Sequence, residues 1–147
     1  MKKFLFIAAL LISGICLGAA TRPVSREILA SFNTDFKGNQ NAQWTYLSES
    51  GLYQVNFTYQ QENLNAFYDE SGQMIAIIRE IGEDRLPMAV LFEVKRKYPG
   101  DSITRVLEST LQGETKYFVT VSNAQGSILL QSTVSGDISI FKKSGNR

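Results

Sequence analysis

Ser25-Arg-Glu-Ile-Leu-Ala-Ser-Phe-Asn-Thr-Asp-Phe-Lys-Gly38 and Pro87-Met-Ala-Val-Leu-Phe-Glu-Val-Lys-Arg-Lys-Tyr-Pro-Gly100 read as two versions of one helical segment, 62 residues apart. In the first, Val24, Ile28, Leu29, Phe32 and Phe36 recur at helical spacing with charged residues between them, so one stripe faces a core. Ser25 suits the cap or first turn, where its hydroxyl can accept from a backbone N–H that lacks an intrahelical partner. Gly38 supplies the stop. In the second, Pro87 fits a first turn because it has no N–H to leave unsatisfied. Val90, Leu91, Val94 and Tyr98 form the stripe there, Met88 and Phe92 are expected to widen it, and Pro99-Gly100 ends it.

Outward from each helix the hydrophobic period changes to two. Tyr53, Val55, Phe57 and Tyr59 alternate with Gln54, Asn56, Thr58 and Gln60, and Tyr117, Val119 and Val121 alternate with Lys116, Phe118, Thr120 and Ser122. This is the pattern of half-buried antiparallel strands. Beyond Gly51 and Gly113 the offset becomes 64, matching Tyr53 to Tyr117 and Gly72 to Gly136, as if one loop had gained two residues. Turns at 48–51, 69–72, 122–126 and 135–137 each offer a glycine for the bend. Strands are therefore expected at 42–48, 52–60, 63–69, 74–81, 103–110, 115–122, 127–134 and 138–143, with Glu83-Asp84-Arg85 as the link. The expected class is α+β: two tandem helix-plus-antiparallel-sheet repeats, 21–82 and 83–147, forming one domain with the helices packed on one face of the sheet.

Ahead of the repeats, Lys2 and Lys3, the apolar run Phe4 to Leu17, and Gly18-Ala19-Ala20 have the order of a secretory signal peptide cleaved near Ala20. The run is too short to span a bilayer comfortably, and no second apolar stretch follows, so no membrane span is expected. Cleavage removes Cys16, the one cysteine, leaving burial to hold the domain together. Removing Lys2 and Lys3 from the 15 basic residues leaves 13 against 14 acidic ones, a net charge of −1. That balance speaks against nucleic acid as a partner. The basic triplet Lys95-Arg96-Lys97 reads as a solvated helix face.

Catalytic chemistry has little to work with. The chain contains no histidine, so serine would have no imidazole base, and zinc would lack its usual ligands. Asp69-Glu70-Ser71-Gly72 faintly resembles a calcium loop, but a hairpin turn needs only an Asp at its start and a Gly at its bend. No catalytic residue, cofactor or metal site is expected, and the reading is of a protein that is not an enzyme. Aromatic residues are the remaining candidates. Trp44 and Tyr46 share one face of the first strand, and Phe118 sits among polar neighbours on a face expected to meet water. Trp44, whose counterpart is Val106, reads first as core; Tyr46, whose counterpart is Glu108, reads as exposed. These three are the candidate partner-binding residues.

With Val90-(x3)-Val94-(x3)-Tyr98-Pro99-Gly100, Trp44 with Tyr53-Gln-Val-Asn-Phe57, and Ala66-Phe-Tyr-Asp-Glu-Ser-Gly72 before an apolar strand, the chain resembles the PepSY-like, beta-lactamase-inhibitor-like proteins secreted by Bacteroidetes-type bacteria. The resemblance spans nearly all of the chain after residue 20 and implies tandem helix-plus-sheet units working in the envelope. It also implies protein recognition, since the beta-lactamase inhibitor of this layout binds through a concave sheet surface and PepSY domains are associated with restraint of peptidases. The expected function is thus a periplasmic or secreted, non-catalytic protein-binding module acting through its open sheet face to inhibit or regulate a protease or another envelope or secreted protein. The alternatives are a small-ligand carrier with a cleft between the repeats, or a structural envelope protein.

Overall fold

A computed structural model describes residues 22–145, so the expected signal peptide and its cleavage site lie outside the described residues. The elements are α1 (Arg26–Asp35), β1 (Gln40–Leu47), β2 (Leu52–Tyr59), β3 (Glu62–Tyr68), β4 (Met74–Ile81), a 3₁₀ turn (Glu83–Arg85), α2 (Met88–Lys97), β5 (Ser102–Leu111), β6 (Glu114–Asn123), β7 (Gly126–Thr133) and β8 (Ile138–Gly145). The strands stand in sheet order β1 to β8, each beside its neighbour in sequence. The protein is α+β, an eight-stranded antiparallel sheet with two helices. Two compact units divide within β4, between Ile77 and Ile78.

In the first unit, Ser25 caps α1 by accepting from the Ile28 N–H. Ile28, Phe32 and Phe36 then bury one helical stripe in a cluster with Tyr53, Val55, Phe57, Leu64, Ala66 and Tyr68. Aromatic rings dominate the contact. Phe32 meets Phe57 edge to face at 4.9 Å between centroids and Trp44 at 5.2 Å, a geometry favoured by the ring quadrupole. Leu29, expected in the stripe, is instead 37% exposed, at the margin of the face that Ile28 and Phe32 bury. The β1–β2 and β2–β3 ladders are antiparallel, with Tyr46 opposite Tyr53 and Tyr53 opposite Tyr68. An irregularity between Gln40 and Gln43, with Asn41 at φ 57°, lets β1 begin two residues earlier than its alternation suggests.

The second unit has an aliphatic core. Val90 and Val94 of α2 join Ile81, Leu86, Val106, Val119, Val121, Ile128 and Leu130, with Tyr117 as the aromatic member. Burying each such aliphatic side chain contributes about 2 kcal/mol, offsetting the entropy of ordering the chain. The link Glu83–Arg85 forms a short 3₁₀ turn closed by the Arg85 N–H on the Gly82 carbonyl. One helical expectation is corrected. Met88 and Phe92 do not widen the buried stripe: they are 60% and 64% exposed. At about 100° per residue they fall on the side of α2 opposite Val90 and Val94.

Candidate functional site

Of the three aromatic candidates, Trp44 and Tyr46 belong to the first unit and Phe118 to the second. Phe118 is only 5% exposed, which corrects the expectation that it faces water. Its own strand neighbours are polar, but its environment is set by other strands. Leu107 stands directly opposite it on β5, and Phe141 of β8 meets its ring edge to face at 5.5 Å. Leu107, Ser109 and Leu111, which share that face of β5 by strand parity, are also buried. In this unit the side of β5 that carries Leu107 is buried as well as the side that carries Val106.

Trp44 and Tyr46 are half-buried on β1, an edge of the sheet order, and both pack against the core cluster around α1. Trp44 leans on Phe32 and on Tyr68, whose ring lies 6.0 Å away. The core reading of Trp44 therefore accounts for its inner edge. The Tyr46 ring contacts the Tyr53 ring at 4.9 Å, and Arg22 completes the group. The Arg22 guanidinium carbon sits 5.0 Å from the centre of the Tyr46 ring. Its Nη1 donates to the Tyr46 hydroxyl at 3.0 Å and to Glu70 Oε1 at 2.6 Å. The hydrogen bond to Tyr46, then the fields of Tyr53 and Glu70, raise the pKa of Arg22 above its ordinary value. Arg22 and Glu70 remain largely open to water, so the pair orients more than it stabilises.

Sequence reasoning did not join Arg22 and Glu70 to Tyr46, because Tyr46 and Glu70 lie 24 and 48 residues from Arg22 and share no local pattern with it. The opposition of Tyr46 and Tyr53 follows from the hairpin turn alone. The nearby 69–72 segment is a hairpin turn. Asp69 Oδ1 accepts from the Ser71 N–H, the Ser71 hydroxyl and the Gln73 N–H, which engages that carboxylate in shaping the bend. Among the described residues no group of three or more Asp, Glu, His or Cys side chains could hold a metal ion.

The second unit places charge at the matching position of its first strand. Arg79 Nε donates to Glu108 Oε1 at 2.7 Å, and the Tyr117 hydroxyl donates to Glu108 Oε2 at 3.2 Å. Burial, then the Glu108 carboxylate, pushes the Tyr117 phenol up from its ordinary value. Among the described residues no helix is long and apolar enough to cross a membrane.

An α+β chain with a meandering antiparallel sheet and an aromatic–arginine cluster at a sheet edge is the class defined so far. Solved structures share its fold. A BLIP-like protein from Bacteroides fragilis superposes with a TM-score of 0.71 at 16% identity, covering 86% of this chain and 89% of that one. A proposed periplasmic protein from Bacteroides eggerthii gives 0.72 at 9% identity, over 84% and 90% of the two chains. A DUF2874 family protein from Bacteroides uniformis gives 0.71 at 16% identity, over 82% and 88%. The resemblance read from the sequence to beta-lactamase-inhibitor-like proteins of such bacteria is matched here in fold. No protein-family model matches the chain, and no curated protein does.

Proposed function

We propose that the protein is an exported, non-catalytic module that recognises another envelope or secreted protein through the β1 edge of its first unit. The observation that carries this reading is the cluster of Trp44, Tyr46 and Arg22. Tryptophan, tyrosine and arginine are the residue types most often found where a few side chains carry the energy of a protein interface. Here Trp44 and Tyr46 share an edge strand, with each ring half-buried and its remainder open, and Arg22 packs on Tyr46 from the segment ahead of α1. Such anchors lose little entropy on binding because the Phe32 and Tyr53 rings and the Glu70 carboxylate already hold them in place. Phe118 has no part in this surface.

The architecture behind the reading is a pair of helix-plus-strand repeats, 21–82 and 83–147, preceded by a signal peptide ending near Ala20. Several local matches support the duplication. The C-cap residues Phe36 and Tyr98, 62 apart, have φ and ψ of −126° and 62°, and −128° and 61°. Gly72 lies against the backbone of Glu27, and Gly136 against that of Ala89, again 62 residues from Glu27. Within each unit the helix covers one face of its strands. Export to the periplasm or beyond is supported by the basic, apolar and small-residue order of the first twenty residues, and by the periplasmic description of one structural relative.

The test is affinity capture from an envelope extract of the producing organism, with the chain starting at Thr21 as bait beside an Arg22→Glu, Tyr46→Ala double variant. The expected result is one stoichiometric protein retained by the unmodified chain and lost with the variant. Equal recovery with both baits, or recovery of no protein by either, would overturn the reading.

A further inference from the structure

The two strands at the ends of the sheet order are built differently. β8 carries Lys142 and Lys143, and its register shifts opposite Leu129 and Leu130; charge and irregularity of this kind discourage a further strand from pairing. β1 reads Gln-Asn-Ala-Gln-Trp-Thr-Tyr-Leu and has neither a charged residue nor a proline. Its irregularity is confined to the start, between Gln40 and Gln43, and over residues 43–47 its pairing with β2 is continuous. Every second residue of that stretch turns its N–H and C=O away from β2, and among the described residues no other strand takes them. Backbone groups at this spacing are matched by one kind of structure, another extended chain.

We propose that β1 takes its partner by strand addition: a neutral, extended segment of the recognised protein hydrogen-bonds along the free edge of residues 43–47. This rests on the reading of β1 as the recognition edge and states what kind of segment that edge accepts. Side chains of an added strand alternate between two faces as those of β1 do. Those beside Trp44 and Tyr46 lie on the side of the α1 cluster, where both rings are half-buried, and apolar side chains there extend the covered surface. Those between them lie beside Gln43 and Thr45, whose amide and hydroxyl groups match other uncharged polar side chains. A charged segment finds no counter-charge on β1, and Arg22 is already paired with Glu70 at 2.6 Å. The segment is therefore apolar at every second position and uncharged between. Main-chain hydrogen bonds supply its affinity and the pockets beside the two rings its selectivity.

The test is selection from a display library of random short peptides on the immobilised chain starting at Thr21, followed by synthesis of the enriched peptides. Trp44 is the one tryptophan of the chain, so its fluorescence reports the binding of any peptide that lacks tryptophan. The enriched peptides are expected to share apolar residues at every second position. Methylating their backbone nitrogens one at a time should weaken binding at least about tenfold at alternate positions and leave it nearly unchanged at those between, because only alternate N–H groups face β1. Amide exchange in β1 should slow at every second residue when peptide is bound. These readings use the unmodified chain and do not depend on a variant that folds. Peptides whose binding is lost with Arg22→Glu, Tyr46→Ala yet withstands methylation at every position overturn strand addition while leaving recognition at Trp44 and Tyr46 in place. No enrichment, or enriched peptides that slow amides in β8 rather than in β1, overturns the proposal. Protection of β1 that rises with concentration of the chain alone overturns it in favour of a second copy.

Discussion

Gly136 stands directly against Ala89: a Cβ built on this glycine would lie 2.8 Å from the Ala89 carbonyl oxygen, in a backbone held at φ +91°. Two constraints coincide there. The positive φ costs an L-residue about 1–2 kcal/mol, and the neighbour that would have to give way is helix backbone rather than a mobile side chain. Gly136→Ala is expected to destabilise the protein by about 3 kcal/mol, read as a lower urea midpoint with unchanged slope. Gly72→Ala should cost less, about 2 kcal/mol. There the tightest neighbour is the Ser31 hydroxyl oxygen at 3.0 Å, which can rotate, and the Glu27 carbonyl oxygen stands off at 3.2 Å. Equal effects at the two sites would refute this account of the β7–β8 turn.

Much of this arrangement could be read from the sequence. The period-two runs and the glycine-bearing turns located all eight strands to within a few residues, because strand alternation and hairpin turns are local properties. The correspondence of Gly72 with Gly136 was equally visible. That each glycine leans on a helix was not, since the helical residues it meets lie 41 or more residues away in the chain. Phe118 failed for a related reason. Strand parity tells which face a side chain points to, but Leu107 and Phe141, which give that face its apolar character here, belong to other strands. The site suffered most: Tyr46 was found by its counterpart Glu108, whereas Arg22 reaches it only through the tertiary fold.

Phe118 belongs to the core, and its truncation should be read in stability rather than in binding. Phe118→Ala removes a ring that is 5% exposed and packed edge to face on Phe141. The expected loss is about 3–4 kcal/mol, the range for phenylalanine deletions that leave a cavity. Thermal or denaturant unfolding measures it. A loss below about 1 kcal/mol would mean that the ring faces water after all.

The caps of the two helices differ, and so should their sensitivity. Ser25 Oγ accepts from the Ile28 N–H at 3.3 Å, whereas Pro87 offers α2 no side-chain cap. Ser25→Ala is therefore expected to cost about 1 kcal/mol. Amide hydrogen exchange should locate the change in the first turn of α1. Protection lost evenly over the whole chain, with no local excess, would count against a capping role.

The hydroxyl of Tyr68 makes the first unit sensitive to alkali. Tyr68 is fully buried and donates to Asp35 Oδ2 at 2.9 Å. Burial first, and then the bond to Asp35 and its charge, push the phenol far above its ordinary value. An unfolded tyrosine ionises near pH 10, so above that pH the unfolded chain releases a proton that the folded chain keeps. Stability from this group is thus complete below about pH 10 and falls as pH rises further, by about 1.4 kcal/mol per pH unit for one proton. Tyr68→Phe removes that proton from the balance. It should lose about 1 kcal/mol at neutral pH with the hydrogen bond, yet decline less steeply above about pH 10. The two stability curves, from urea unfolding at a series of pH values, are expected to cross near about pH 11. Curves that stay parallel through that range would show that Tyr68 ionises in the folded protein as it does in the unfolded chain.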